Sequence, residues 1–179
     1  MSVIHRGLFL GRFQPFHNGH LQVVQEMIAD DDIDEIIIGI GSAQEAYTLE
    51  NPFTAGERFE MINNTLHMQS WYGNKPIYIM PIMDIKSNYK YMSYLQTIFP
   101  QFHVYYGSND LMHVLCENAG IEAVSVPYDN ELTRSGTWIR KNIKSNLLDW
   151  RDYTPEAVVK YIVANARLYQ WTEGNVCNR

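Results

Sequence analysis

Residues 35–41 (EIIIGIG) are apolar at consecutive positions, where a half-exposed strand would alternate apolar and polar side chains. This pattern is typical of a parallel strand that helices cover on both faces. Longer amphipathic segments separate it from other short apolar runs, and such alternation indicates an α/β fold with a doubly wound parallel sheet and crossover helices. The remaining strands are predicted at residues 7–11, 76–81, 103–106 and 122–126.

The amphipathic segments between the strands predict the helices. Residues 54–57 (TAGE) form a capping box that opens a helix running to about residue 68. Near the end of the chain, Thr154 is the expected N-cap and Pro155 the first residue of a helix with apolar residues at 158, 161, 162 and 168. The other helices between strands are predicted at residues 21–29, 89–98 and 109–117.

Composition narrows the class of protein. The 179 residues, 46% of them apolar, suit one domain over residues 1–179. A net charge of −6 argues against a nucleic-acid partner, because proteins that bind nucleic acid usually carry a basic face. No segment has the apolar length that spans a bilayer, and Cys116 and Cys177 lie in no CxxC pair. We therefore expect a cytoplasmic protein with no membrane contact and no structural zinc.

The stretch GRFQPFHNGH, residues 11–20, joins the first strand to the first helix. Ligands of open α/β sheets bind beyond the carboxyl ends of the strands, and a helix start presents unpaired N–H groups to phosphate. Gly19 would let a ligand approach the backbone, and His17 and His20 would be hydrogen-bond donors beside it. Arg12 adds a permanent charge at the end of the strand. This loop is therefore a candidate phosphate site.

His17 and His20 allow other interpretations. A metal pair is less favoured, because helical zinc ligands are typically four residues apart and no acidic residue occurs between Met1 and Glu26. A proton relay lacks an evident nucleophile or proton acceptor. The structural alternative is one surface histidine and one that donates to a carbonyl. Donors to phosphate fit the position best.

A second basic stretch, residues 134–144 (RSGTWIRKNIK), predicts another helix start. Ser135 is the expected N-cap before Gly136 and Thr137, and a buried stripe is expected at residues 139, 143 and 147. Four of the 14 basic residues lie here, namely Arg134, Arg140, Lys141 and Lys144. The stretch suits a polyphosphate, and its alternative is an ordinary basic surface helix.

Short polar residues follow three other strands. Ser42 and Gln44 end the second strand, and Arg58 beyond them would either bind a substrate phosphate or form a salt bridge with Glu57. After the third strand comes Asp84; Asn88 could bind an amide, and Tyr91 could stack on a flat ring. Two of the tyrosines at 89, 91 and 94 are expected to pack in the core.

Gly107 and Asn109 end the fourth strand. A glycine and short polar side chains suit close contact with a base or a ribose, and a plain turn is the alternative.

Several enzyme classes lack their motifs in this chain. It has no GxxxxGK[ST] loop, no complete dinucleotide fingerprint and no GxSxG elbow. Two phosphate-binding helix starts and neutral donors instead suit a reaction in which the enzyme positions two phosphates without covalent participation.

Five motifs in order resemble the archaeal-type nicotinamide mononucleotide adenylyltransferases of the HxGH nucleotidyltransferase superfamily: GRFQPF, HNGH, GSAQ, NPFTAGER and RSGTWIR. The resemblance implies a Rossmann-like fold, with a core at about residues 1–127 and a phosphate-binding loop and C-terminal helices at 128–179. It implies that ATP and nicotinamide mononucleotide form NAD and pyrophosphate by in-line attack, with Mg²⁺ on the ATP phosphates. It also implies a role in NAD biosynthesis and a homo-oligomer, with a hexamer as in relatives.

The resemblance also assigns residues to roles. Tyr91 stands where relatives often have tryptophan, and Arg134 and Trp138 replace residues that are more often tyrosine and glutamate. Another HxGH enzyme, such as a pantetheine-phosphate adenylyltransferase, and a non-catalytic nucleotide sensor are the alternatives. The implied catalytic residues are His17, His20, Arg12 and Arg140, the ATP contacts Gly11, Phe13, Gly19, Gly107, Asn109, Arg134, Ser135, Gly136 and Thr137, and the nicotinamide nucleotide contacts Ser42, Gln44, Phe53, Arg58, Asp84, Asn88 and Tyr91, with no metal ligand from the protein.

Overall fold

A computed structural model of the chain describes residues 3–127 and 134–165. Five parallel strands form one sheet in the order β3-β2-β1-β4-β5. The order reverses between β1 and β4, which is the switch point of a doubly wound sheet. The predicted fold class is confirmed. The strands are β1 (Arg6–Gly11), β2 (Glu35–Ile40), β3 (Ile77–Pro81), β4 (Val104–Tyr106) and β5 (Glu122–Val124).

Six α-helices follow the predicted pattern in the described residues. Short 3₁₀ helices at Asn88–Lys90 and Asp149–Tyr153 precede two of them. In the described part of the chain, no helix combines the length and the apolar character that a membrane crossing requires. The helices are α1 (Asn18–Ala29), α2 (Ala55–His67), α3 (Tyr91–Ile98), α4 (Asp110–Asn118), α5 (Gly136–Lys144) and α6 (Glu156–Ala164).

The sheet separates two apolar cores, as the consecutive isoleucines of β2 predict. Ile36, Ile38 and Ile40 face the core that α1, α2, α5 and α6 cover. Ile37 faces the opposite core, beneath α3 and α4. All four side chains are fully buried, and each such burial contributes about 1.5 to 3 kcal/mol. Helices on both faces therefore hold the strand ends of β1 and β4 in fixed positions.

Three local predictions are wrong, and a fourth reaches beyond the described residues. Pro155 occupies the N-cap of α6 in place of Thr154, whose hydroxyl instead donates to the carbonyl of Trp150. The buried stripe of α5 stops at Ile143, because the helix ends at Lys144 and Leu147 is 51% exposed. The fifth strand ends at Val124, two residues early. Position 168 of the last apolar stripe lies outside the described residues.

Candidate active site

The loop after β1 turns sharply back into the core. Phe13 has a φ of +50° and its side chain is almost fully buried. Its ring packs edge-on against Phe9 and against His20. The Phe13 ring is therefore part of the core, and a contact between this residue and ATP stays a prediction. Gly11 is needed beside it, because a Cβ at that position would lie 2.8 Å from the Phe13 ring.

His17 and His20 form one stacked pair at the start of α1. Their ring centroids are 3.6 Å apart and the rings are inclined by 22°. The backbone N–H of His17 donates to Nδ1 of His20 at 3.2 Å, which leaves the proton of a neutral His20 ring on Nε2. Among the described residues, Nδ1 of His17 is buried without a hydrogen-bond partner. Neither ring follows the structural alternative of a surface histidine beside one that donates to a carbonyl.

Burial keeps both rings neutral at pH 7. It lowers the pKa of His17 to about 4, and burial together with the charge on His17 lowers the pKa of His20 well below its ordinary value. Within residues 3–127 and 134–165, no three His, Cys, Asp or Glu side chains are grouped to hold a metal ion. The pair can therefore offer hydrogen bonds to an anion without itself carrying charge.

Stability is expected to fall when the pH is lowered from about 6.5 toward about 4. His17 takes up its proton near pKa 6.5 in the unfolded chain and near pKa 4 in the folded one. Between these values the unfolded state binds more protons, so the free energy of unfolding rises with pH, by at most about 1.4 kcal/mol per unit for each histidine.

Urea denaturation between about pH 4.5 and pH 7.5 measures this slope. His17→Gln is expected to flatten it. His67→Gln, at an exposed position on α2, is the matched control and is expected to leave the slope unchanged. Equal slopes in wild type and His17→Gln would contradict the assignment of the proton uptake to His17.

The start of α5 is tied to the loop after β1 through Arg140. Its Nη1 donates to the carbonyl of Gln14 at 2.8 Å, and its Nη2 donates to Oγ1 of Thr137 at 3.1 Å. Ser135 caps the helix by accepting from the N–H of Trp138. A Cβ at Gly136 would lie 3.2 Å from the Gln14 carbonyl oxygen, so a larger residue there would have to push the two segments slightly apart. The two predicted phosphate motifs, 126 residues apart, are thus adjacent.

Positive charge is concentrated where these motifs meet. Arg140 is only 8% exposed, which excludes the ordinary basic surface helix for this residue. Burial lowers the pKa of Arg140, and the charge on Arg12 lowers it further. Arg12 is exposed and donates to Oδ1 of Asn51 at 3.3 Å. Two guanidinium groups that repel each other in this way form a favourable setting for a polyphosphate.

Arg134 lies over an aromatic pair. Its guanidinium carbon is 4.5 Å from the centroid of the Tyr153 ring and 5.9 Å from that of Trp138. The two rings meet edge-to-face with centroids 5.3 Å apart. This cation–π contact gives a structural reason for the unusual Arg134 and Trp138 around the SGT sequence. Contact between Arg134 and ATP stays a prediction.

Arg58 does not form the expected salt bridge with Glu57. Its side chain is fully buried and donates to the carbonyls of Arg12, Gly41 and Ser42 at 2.7 to 3.0 Å. Burial lowers its pKa to about 10, so it is still charged at pH 7. Glu57 accepts from the backbone N–H of Thr54 in the predicted capping box instead. Arg58 therefore holds the carboxyl ends of β1 and β2 together, and its contact with a substrate phosphate stays a prediction.

The polar residues after β2 and β3 do come together. The carboxylate of Asp84 accepts from the backbone N–H of Ser42 at 3.1 Å and from Nε2 of Gln44 at 3.0 Å. The backbone N–H of Asp84 donates back to Oε1 of Gln44. Ser42 itself has a φ of +48°, in the left-handed region. The three residues form one cluster beside the carboxyl ends of two strands.

The aromatic segment that follows lies beside this cluster. Tyr91 begins α3, and burial and the charge on Asp84 raise its pKa to about 12. Tyr91 and Tyr94 pack partly against the second core, whereas Tyr89 is 99% exposed. This confirms the expectation that two of the three tyrosines pack in the core. Asn88 is exposed in the preceding turn.

The loop after β4 combines tight packing with helix capping. A Cβ at Gly107 would lie 2.4 Å from the hydroxyl of Tyr105, so only glycine fits. Asn109 caps α4 by accepting from the N–H of Met112. Gly19 is buried in the first turn of α1. The helix cap fits the alternative that Asn109 belongs to a plain turn. Contacts of Gly107, Asn109 and Gly19 with ATP stay predictions.

Gln14 is a site residue that sequence reasoning missed. It is 3% exposed, and its side chain bonds both backbone groups of Phe53, with Nε2 donating to the carbonyl at 2.8 Å and Oε1 accepting from the N–H at 2.9 Å. Phe53 is fully buried, and its contact with the nicotinamide nucleotide stays a prediction. The available signal was a single amide among the apolar residues of the first loop.

A family model described as cytidylyltransferase-like matches residues 8–148. A nicotinamide-nucleotide adenylyltransferase from Methanococcus aeolicus is 44% identical over 157 residues, which cover 88% of this chain and 87% of the relative. One from Pyrococcus horikoshii is 40% identical over 157 residues, covering 88% and 82%. These identities extend over nearly the whole length of both relatives.

Solved structures share the fold at much lower identity. A bifunctional NMN adenylyltransferase/ADP ribose pyrophosphatase from Francisella tularensis, complexed with AMP and a manganese ion, aligns with a TM-score of 0.69 at 21% identity. The alignment covers 94% of this chain and 51% of that one, so this chain spans about half its length. A nicotinic acid mononucleotide adenylyltransferase from Plasmodium falciparum aligns at 0.67 with 13% identity, covering 96% and 100%. These likenesses show the fold alone.

Proposed function

We propose that this enzyme transfers an adenylyl group directly from one substrate to the other, without a covalent enzyme intermediate. The chain belongs to the cytidylyltransferase-like family and, within it, to the nicotinamide-nucleotide adenylyltransferases. The enzyme transfers the adenylyl group of ATP to nicotinamide mononucleotide and forms NAD and pyrophosphate, a reaction of NAD biosynthesis. The observation that carries the mechanism is the stacked, neutral pair of His17 and His20, next to a loop that Arg140 ties to a second helix start.

In the proposed step, a 5′-phosphate oxygen of the mononucleotide attacks the α-phosphorus of ATP. The bond from this phosphorus to the oxygen that bridges the β-phosphate breaks, and the electron pair leaves with pyrophosphate. The N–H groups of His17 and His20 donate to the oxygens on which charge develops. Because they are neutral and already fixed by stacking, they stabilise this charge without taking a covalent part.

The remaining ATP phosphates lie, in this proposal, at the start of α5. The first N–H groups of α5 are those of Gly136 and Thr137, in the same helix turn as the Thr137 hydroxyl that accepts from Arg140. Arg12 completes the positive surface from the opposite loop. These cations favour the leaving pyrophosphate more than the starting triphosphate, because leaving adds negative charge there.

Nicotinamide mononucleotide is proposed to bind at the cluster of Ser42, Gln44 and Asp84. The three mutual hydrogen bonds hold the loops after β2 and β3 in one arrangement. Tyr91 supplies a half-buried ring beside Asp84, which suits stacking on a flat nicotinamide. Asn88 is proposed to bind the amide.

A divalent cation, Mg²⁺ in this proposal, accompanies ATP. The ion is proposed to be held mainly by the ATP phosphates and water, because Mg²⁺ keeps much of its hydration shell. When bound, the ion neutralises charge on the leaving pyrophosphate. We further propose that residues 1–179 form a single domain, that the protein is cytoplasmic and that it has no nucleic-acid partner. We also propose a homo-oligomer such as a hexamer, which sedimentation analysis tests.

A panel of acceptors tests the function. Pyrophosphate release from ATP and Mg²⁺ is expected with nicotinamide mononucleotide, and not with pantetheine phosphate or glycerol phosphate. Release with pantetheine phosphate alone would assign the chain to another HxGH activity. Binding of ATP without turnover of any acceptor would instead identify a nucleotide sensor.

A further inference from the structure

The side-chain amide of Gln14 hydrogen-bonds the backbone of Phe53 as a neighbouring β-strand would. Its amide makes the same pair of hydrogen bonds, one donated and one accepted, that two adjacent backbones make in a sheet. Phe53 ends the segment 42–53, which contains Ser42 and Gln44. The position of this segment therefore depends on Gln14, which lies in the histidine-bearing loop.

The backbone of Gln14 makes an equally specific contact in the other direction. Its carbonyl accepts from Nη1 of Arg140 at 2.8 Å, and that same guanidinium donates to Thr137 in the first turn of α5. A carbonyl that accepts from a guanidinium fixes the direction in which the remaining N–H groups of Arg140 point. Gln14 thus contacts Phe53, on the side proposed for the mononucleotide, through its side chain. It contacts Arg140, on the side proposed for ATP, through its backbone carbonyl.

The contacts of Gln14 with Phe53 and with Arg140 are buried. Gln14 is 3% exposed, Phe53 is fully buried and Arg140 is 8% exposed, so water does not compete for these hydrogen bonds. Coupling between sites travels through such contiguous packed and hydrogen-bonded groups. A displacement by one substrate that moves Phe53 is accommodated at Gln14, and through its carbonyl at Arg140.

We propose that Gln14 is a positioning residue that couples the two substrate sites, so that ATP and nicotinamide mononucleotide strengthen each other's binding. This inference rests on the proposed function, because it requires one substrate on each side of Gln14. Coupling of this kind is reciprocal and typically about fivefold or more in affinity. Gln14 touches neither substrate in this proposal and acts through Arg140 and Phe53.

Calorimetric binding of α,β-methylene ATP, with and without saturating nicotinamide mononucleotide, measures the coupling. In wild type the mononucleotide is expected to tighten analogue binding by about fivefold or more. In Gln14→Met, which keeps the volume and loses both amide hydrogen bonds, the factor is expected to fall below about twofold. Gln69→Met is the matched control, because Gln69 donates to a backbone carbonyl within α2 at 3.0 Å, and it should keep the wild-type factor.

Gln14→Glu provides a second variant with a readout that a merely structural role would not change. A buried carboxyl has a raised pKa, and only its protonated form can still donate to the Phe53 carbonyl. The ligand phosphates also titrate in this range, so each variant is compared with wild type at the same pH. Coupling in Gln14→Glu, relative to wild type, is therefore expected to increase as the pH is lowered from about 8 to about 5.5.

Two results would overturn the inference while leaving the function intact. One is NAD formation in a wild type that shows no coupling. The other is the full wild-type factor in Gln14→Met. A wild type that forms no NAD and binds neither nucleotide would instead reject the proposed function itself.

Discussion

Replacing His20 with alanine is expected to lower kcat by about a hundredfold or more, the scale for losing one donor to transition-state charge. His20 accepts from the His17 backbone at Nδ1, so its proton lies on Nε2 and can be donated to a phosphate oxygen. The KM values are expected to change much less, because the charge that Nε2–H stabilises develops mainly in the transition state.

Two further substitutions separate the donor from the packing. The amide nitrogen of His20→Gln can occupy the place of Nε2, whereas His20→Asn can reproduce only the Nδ1 acceptor. His20→Gln is therefore expected to retain more activity than His20→Asn. Steady-state kinetics with both substrates varied, together with thermal unfolding of each variant, decide the matter. Equal kcat values in His20→Ala and wild type would remove His20 from the mechanism.

Replacing Arg140 with alanine is expected to lower kcat/KM for ATP by about a hundredfold. The substitution removes the one buried guanidinium among the described residues that lies at the start of α5, where the β- and γ-phosphates are proposed to bind. It also leaves the Gln14 carbonyl without its donor. Because both the binding and the position of the loop are affected, KM for ATP should rise and kcat should fall.

Arg140→Lys tests whether charge alone is enough. A lysine keeps the positive charge and cannot donate to Gln14 and Thr137 while also meeting a phosphate through a planar fork. We expect it to recover only a small part of kcat/KM. Lys141→Ala, at an exposed position on the next residue of α5, is the matched control and should be close to wild type. An Arg140→Ala enzyme with unchanged kcat/KM for ATP would contradict the proposed phosphate site.

The sheet was predictable because burial on both faces leaves a distinct trace in the sequence. The consecutive isoleucines of β2 and the amphipathic segments between strands identified all five strands, with ends wrong by at most two residues. Helix ends were less predictable where side chains compete for backbone groups. Thr154 has the right chemistry for an N-cap, yet its hydroxyl donates to Trp150 in the preceding turn.

Within the site, sequence reasoning found the loops that meet but not which of their side chains point inward. His17, His20 and Arg140 lie at the two predicted helix starts. Phe13 and Arg58, in the GRFQPF and NPFTAGER stretches, point into the protein. Periodicity does not extend through irregular loops, so it cannot tell an inward side chain from an outward one. Gln14 was missed for the same reason, since its partners lie 39 and 126 residues away.

The stereochemistry of transfer tests the central claim, which is that ATP and nicotinamide mononucleotide react directly with each other and that His17 and His20 take no covalent part. The substrate is ATP with sulfur in place of one non-bridging α-phosphate oxygen, in a single configuration. The configuration at the adenosine-linked phosphorus of the NAD product, which keeps the sulfur, is then determined. One in-line displacement predicts inversion at the α-phosphorus. Retention would require two displacements through an adenylyl-enzyme intermediate, and would contradict the non-covalent role assigned to His17 and His20.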